Sequence, residues 1–252
     1  MATSGAMAKR WTPAPINRLD FPRMPGVNRR MDDRWVTFDC YGTLIDWNQG
    51  FHQLLEPSFG DLTGDLIQAY HVHERLIEAE QPHRLYRDVI QLTLSQAARS
   101  LGLSLAPSDA VRVVRGWGTL AVFPDVEPML AALRSQGIRI GVLTNCDNDL
   151  FAETQRRFSQ PFDQVITAEQ VGSYKPQLGH FRRFKELVGA SERRWVHVAC
   201  SWFHDVEPAS RLGIHRIWLD REHRSEGPEG TARRVTAADP VADCVAEFFN
   251  QA

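Results

Sequence analysis

Four short stretches of this chain carry residue types that combine into hydrolytic chemistry. They are Asp39-Cys40-Tyr41-Gly42-Thr43-Leu44, then Leu143-Thr144-Asn145, then Lys175-Pro176, and last Asp205 with His204 ahead of it. An aspartate is a nucleophile or a base, and a neighbouring ammonium keeps it ionised. Thr144 and Asn145 precede a helical pattern whose N-terminal amides attract anions. Each stretch also has a plainer explanation. Asp39 is a turn former, Thr144-Asn145 a helix cap and Asp205 a first-turn acid, with His204 pointing away from it. Lys175 is the exception. Only Lys9, Lys175 and Lys185 are lysines, the other 26 basic residues being arginines. A lysine at a strand-end loop of an arginine-using chain points to a need for a compact, single ammonium.

The elements that must position these residues follow from hydrophobic periodicity. Trp35-Val36-Thr37-Phe38 is a strand-like run that ends at Asp39. From Trp47 to Gly118 apolar residues recur at three- and four-residue steps, as in Leu62, Leu66, Ala69, Tyr70 and in Leu85, Val89, Leu92. That spacing is helical, and the block contains no convincing strand. Beyond Phe123-Pro124-Asp125 short apolar strands alternate with helices. Strands are expected at Ile138 to Leu143, within Phe162 to Ile166, at Trp195 to Ala199 and at His215 to Leu219. The intervening helices are Val126 to Ser135, Asp149 to Phe158, Leu178 to Val188 and Val206 to Leu212, with a last one over Pro240 to Asn250. The expected fold class is α/β, a doubly wound parallel-sheet (Rossmann-like) core with an inserted all-helical block. The core takes 33–47 and 119–252, and the insertion 48–118. Residues 1–32, rich in Arg and Pro, are expected to be a tail outside the fold, and Arg221 to Gly230 a surface loop. In such a sheet, ligands sit beyond the carboxyl ends of the strands. All four stretches fall there.

Composition narrows the classes. In 252 residues, 29 basic side chains face 31 acidic ones, so no broad electrostatic case exists for nucleic acid as partner. No run approaches the length of a membrane span. Cys40, Cys146, Cys200 and Cys244 are widely separated and form no C-x-x-C pair, which argues against a zinc site or a disulfide framework. Reduced thiols in a cytoplasmic protein are the simplest expectation.

From about Arg34 to the C-terminus the motifs resemble those of the haloacid dehalogenase superfamily. Phe38-Asp39-Cys40-Tyr41-Gly42-Thr43-Leu44-Ile45-Asp46 is similar to its first motif. Leu143-Thr144-Asn145 is similar to the second, Tyr174-Lys175-Pro176 to the third, and Asp205 to the acid of the fourth. The helical block lies where that family inserts its cap. Phosphatases of the superfamily carry a second aspartate two residues after the nucleophile, to protonate the leaving alcohol. Here that position is Tyr41, and a phenol with pKa ~10 is a poor acid for the task. A halide needs no proton, and Asp-x-Tyr-Gly-Thr resembles the 2-haloacid dehalogenase branch.

The resemblance implies covalent catalysis on a small-molecule carboxylate substrate. Asp39 would displace halide to form an aspartyl ester, which water near Asp205 would hydrolyse, with Lys175 stabilising the carboxylates. Tyr41 would line the substrate pocket, and Thr144 and Asn145 would receive the carboxylate or the halide. No metal or other cofactor is implied, and a homodimer is. Two departures stand out. Dehalogenases of this type carry a cap arginine near the halogen, and Arg75, Arg84 and Arg87 all compete for that place. Cys200 and Trp202 stand where the family has a serine and an asparagine ahead of the acid. Two alternatives remain open: a phosphohydrolase of the same fold holding Mg²⁺ weakly, and a non-catalytic binding protein.

Overall fold

The computed structural model describes residues 34–223 and 232–251, so the expected tail and most of the expected 221–230 loop lie outside the described residues. In chain order the elements are β1 (Trp35–Phe38), α1 (Trp47–Phe59), α2 (Thr63–Glu78), α3 (Tyr86–Ser100), α4 (Pro107–Gly116), α5 (Val126–Ser135) and β2 (Arg139–Thr144). They continue with α6 (Asn148–Gln155), β3 (Gln164–Thr167), α7 (Ala168–Val171), α8 (Gly179–Val188), β4 (Trp195–Ala199) and a π-type turn (Trp202–Val206). The last are α9 (Glu207–Arg211), β5 (His215–Leu219), β6 (Arg233–Val235) and α10 (Val241–Gln251).

The strands form one sheet, in the order β3-β2-β1-β4-β5-β6, and every neighbouring pair is parallel. This is the doubly wound order, with its switch between β1 and β4. Alternating side chains divide the core into two layers. Val36, Phe38, Ile140, Val142, Val196, Val198, Ile217 and Leu219 face one side, where α5 and α10 pack. Trp35, Leu143, Ile166 and Trp195 face the other, against Phe181 and Phe184 of α8 and Ala209 of α9. Gly141 is required in the centre of β2, because a Cβ there would lie 2.8 Å from the Phe184 ring.

Between β1 and β2 the helical insertion, α1 to α4, folds over the carboxyl edge of the sheet. It shares a hydrophobic cluster with the first layer, through Leu44, Ile45, Trp47, Phe51, Tyr70 and Trp117. Among the described residues no helix is long and apolar enough to cross a membrane. Four local expectations are corrected. The helix expected to run to Phe158 ends at Gln155, and the chain then turns so that Phe158 packs on Phe162, ring centroids 5.0 Å apart. The helix expected from Val206 begins earlier, as the π-type turn. The edge strand β6 was not expected, because only Val235 of its three residues is buried. Arg221, assigned to a surface loop, is anchored instead: it forms a two-pronged pair with Asp125, at 3.0 Å for each contact, and donates to the Thr43 carbonyl at 2.8 Å.

Candidate active site

The site begins where the β1 ladder runs out. Asp39 N still donates to the Val198 carbonyl at 3.1 Å, so the Asp39 side chain emerges at the carboxyl edge between β1 and β4. The chain then folds back tightly. The amides of Thr43, Leu44 and Ile45 all point at the Cys40 carbonyl, at 3.2, 2.7 and 3.0 Å, and Gly42 takes the left-handed φ of 87° that this turn needs. The turn brings Thr43 Oγ1 back to donate to Asp39 Oδ2 at 2.8 Å, and the same hydroxyl accepts from Cys200 N at 2.9 Å.

Lys175 closes the cluster. Its side chain is 1% exposed, and its Nζ donates to Asp39 Oδ1 at 2.8 Å, to Asp205 Oδ1 at 2.6 Å and to the Leu143 carbonyl at 2.8 Å. An ammonium has three protons, and each has an acceptor. Asn145 holds the lysine's own peptide: its Oδ1 accepts from Lys175 N at 2.8 Å and its Nδ2 donates to Lys175 O at 3.1 Å. Asp39, Asn145, Lys175 and Asp205, from four separate strand ends, thus meet at one place, beside Tyr41.

The electrostatics separate the two aspartates. Burial alone would raise Asp205, but the Lys175 ammonium and the His197 ring outweigh it and hold the carboxyl at about 2. Asp39 sits higher than the usual carboxylate range, because burial, helped by the Asp205 charge, exceeds the pull of Lys175. Burial would lower Lys175, yet the two carboxylates push it up. Beneath Asp205 runs a buried polar chain. Trp195 Nε1 donates to Thr37 Oγ1 at 2.7 Å, leaving the Thr37 proton for His197 Nδ1 at 2.8 Å, and His197 Nε2 then donates to Asp205 Oδ1 at 3.0 Å. This chain fixes both the histidine tautomer and the carboxylate's orientation.

Above these groups lies a cavity of about 350 Å³, walled by Asp39, Tyr41, Lys175, Asp205, Asn145, Cys200, Ser201 and His204 from the sheet side. The insertion contributes Trp47, His71, Glu74, Arg75, Glu78 and Tyr86. Of the arginines considered, Arg75 reaches this wall. Arg84 pairs with Glu80 at 3.1 Å, and Arg87 pairs with Asp147 at 3.0 Å and with Asp149. Tyr41 lines the cavity, but its hydroxyl is 2.8 Å from Thr154 Oγ1 on α6, and burial pushes the phenol well above its ordinary pKa. Thr144 is not part of the wall. It is fully buried, its Oγ1 lacks a hydrogen-bond partner and its carbonyl is 3.0 Å from His180 Nε2. Trp202 turns its ring onto Trp218, centroids 5.4 Å apart, leaving Cys200 and Ser201 at the wall.

Residues that sequence reasoning missed are Thr43, His197, Glu74 and Glu78. Glu74 accepts hydrogen bonds from Tyr70 at 3.0 Å and Tyr86 at 2.8 Å. Glu78 is 7% exposed and, among the described residues, receives a hydrogen bond only from Asn145 Nδ2, at 3.4 Å, with His204 Nε2 3.8 Å away. Burial pushes Glu78 well above the carboxylate range, with the Glu74 charge adding. The legible signal was their spacing: Leu66, Tyr70, Glu74 and Glu78 step by four along the stripe of α2 that faces the sheet.

A divalent cation of the Mg²⁺ kind asks for six oxygens in near-octahedral array. Here the Asp39 and Asp205 carboxylates already share the Lys175 ammonium, and the described residues contain no cluster of three or more metal-ligating side chains. Asp39 and Asp205 are the two carboxylates the site would offer such an ion, with waters completing its shell.

Comparison with known proteins agrees with this architecture. The family model for haloacid dehalogenase-like hydrolases matches residues 34–211. (S)-2-haloacid dehalogenase 1 of Pseudomonas sp. strain CBS-3 is 28% identical over 203 residues, covering 77% of this chain and 87% of that protein. The structure of L-2-haloacid dehalogenase from Xanthobacter autotrophicus has a TM-score of 0.75 at 18% identity, over 84% of this chain and 98% of that one, a likeness of fold. Over a shorter stretch, phosphoserine phosphatase of Thermus thermophilus is 30% identical across 112 residues, 44% of this chain and 45% of that protein. With its strand order, its strand-end motifs and the family match all in agreement, this chain belongs to the haloacid dehalogenase-like hydrolases.

Proposed function

We propose that this hydrolase removes halide from short 2-haloalkanoic acids through an ester on Asp39. The observation that carries the proposal is the position two residues after Asp39. Tyr41 stands there with its hydroxyl committed to Thr154 and its pKa raised, so it offers no proton to a leaving group. Halide departs with the electron pair of the broken bond and needs none. An Asp39 carboxylate oxygen bonds to C2 of the substrate as the carbon–halogen bond breaks, with inversion at that carbon. Water then adds to Cγ of Asp39, and the Cγ–ester oxygen bond breaks. The products are a 2-hydroxy acid, halide and one proton.

Charge supports the same substrate class. Lys175 is used up by Asp39 and Asp205, so an incoming carboxylate needs a second cation, and Arg75 on the helical cap supplies it at the cavity wall. A second activity has one observation in its favour: Glu78, pushed up by burial, is a proton donor of the kind that an alkoxide leaving group requires. That would suit a phosphohydrolase.

The test is halide release from chloro-, bromo- and fluoroacetate and from 2-chloropropionate without added metal, beside phosphate release from p-nitrophenyl phosphate with Mg²⁺. Wild type is expected to release halide, and Asp39→Asn to lose that activity by more than ~10³-fold. Undiminished halide release by Asp39→Asn would remove the nucleophile assignment, and Mg²⁺-dependent phosphate release alone would favour the second activity.

A further inference from the structure

The hydrolysis of an Asp39 ester needs a group to take the proton of the attacking water. Two cavity-wall groups on the turn after β4 are candidates, Asp205 and His204. Asp205 is poorly suited. Its Oδ1 is occupied by Lys175 Nζ at 2.6 Å and His197 Nε2 at 3.0 Å, and the charge of Lys175 opposes protonation. Its Oδ2 is buried and has no hydrogen-bond partner.

His204 is held differently. The turn is of π type, with Val206 N donating to Ser201 O five residues back at 3.3 Å, a local widening frequent at functional sites. This turn sets both His204 and Asp205 on the cavity wall, where a regular helix was expected to point neighbours apart. Ser201 clamps the histidine twice: its Oγ accepts from His204 N at 3.1 Å and lies 3.0 Å from the ring Nδ1. On the far side of the ring, Nε2 lies 3.8 Å from Glu78 Oε2 of α2. A serine on one ring nitrogen and a carboxyl group beside the other hold the ring in one orientation, between the sheet and the insertion.

We propose that His204, oriented by Ser201 and faced by Glu78, is the base that takes the water proton when the Asp39 ester is hydrolysed. The assignment rests on the covalent pathway proposed above. Water loses a proton to Nε2 as its oxygen bonds to Cγ of Asp39. The Cγ–ester oxygen bond then breaks, and the departing oxygen receives the proton from Nε2 to give the 2-hydroxy acid. Burial holds the imidazole low, at about 4, with Asp205 opposing and Lys175 adding, so it is neutral at neutral pH, and in the tautomer whose Nδ1–H donates to Ser201 Oγ its Nε2 accepts. Cys200 and Trp202 supply neither a carboxylate nor an imidazole at this turn.

The test separates the two half-reactions in His204→Gln, with Ser201→Ala as a milder companion, on bromoacetate and 2-chloropropionate. Rapid-quench halide measurement is expected to show a burst of about one equivalent at the wild-type rate, followed by turnover lowered ~100-fold. Mass spectrometry of the quenched variant should find the acyl group on the Asp39 peptide, and Ser201→Ala should show a smaller loss confined to the same step. Turnover of His204→Gln within about threefold of wild type, or equal loss of burst and turnover, would overturn the assignment while leaving the pathway standing. If wild type itself releases no halide from these acids, the covalent pathway fails, and the base assignment fails with it.

Discussion

Glu78 shows how a single side chain ties stability to the site. Its carboxyl group is buried at a cavity wall with one long hydrogen bond, and it faces the half-buried Glu74 on the same helix. A carboxyl whose folded pKa lies above its unfolded value of ~4.3 costs nothing at low pH, where both states are protonated. As pH rises past that value the unfolded chain ionises first, and stability is lost until the folded group ionises too. Glu78→Gln cannot titrate, so it should raise the unfolding midpoint at pH 8 by about 2–4 °C and lose the advantage towards pH 4. Thermal melts at both values check this, and an equal shift at both would contradict the electrostatic cause. At this scale the sequence disclosed Asp39, Lys175 and Asp205, because each follows a strand, and the rarity of lysine made Lys175 conspicuous. Glu74 and Glu78 were not recognised, since an acid on a helix is ordinarily solvent-facing and only the stripe they share with Leu66 and Tyr70 marks them as inward.

Among the elements, α3 depends on a residue from the sheet half. Asp147, fully buried after β2, accepts from Tyr86 N at 2.6 Å and from Arg87 N and Arg87 Nε at 3.0 Å each. It satisfies the orphan amides that start α3 and ties that helix down beside the cavity. Asp147→Ala leaves those donors and the Arg87 guanidinium without it, and should cost about 3 kcal/mol in urea unfolding. A loss within about 0.5 kcal/mol would mean that water replaces the carboxylate at no cost. The strands were legible because parallel strands buried on both faces read as near-continuous apolar runs, as in Ile140 to Leu143 and, interrupted by His197 alone, Trp195 to Ala199. The π-type turn was not, because it is set by Ser201 bonding its own turn rather than by any apolar period. Nor was β6, a strand whose first two residues are arginines.

On the scale of the whole molecule, the insertion has no core of its own. One buried cluster runs from Val36 and Phe38 in β1, through Leu44 and Ile45, into Trp47, Phe51, Tyr70, Tyr86 and Trp117. Stacked, edge-on and tilted rings continue it, with centroid distances of 5.0 Å for Trp47–Phe51, 4.8 Å for Phe51–Tyr70 and 5.2 Å for Tyr41–Trp117. Exposing the insertion's side of this cluster to water would cost roughly 25 cal/mol for each Å² of apolar surface uncovered, so neither half can open far without destabilising the other. The cavity therefore lies between parts that unfold together. Tryptophans report on both, Trp47 and Trp117 in the insertion and Trp35, Trp195, Trp202 and Trp218 on the sheet side. Urea unfolding followed by tryptophan fluorescence and by far-ultraviolet circular dichroism should give coincident single transitions. If fluorescence moved first, with most helical signal retained, the insertion would be separable from the sheet, and the shared cluster would not be what joins them.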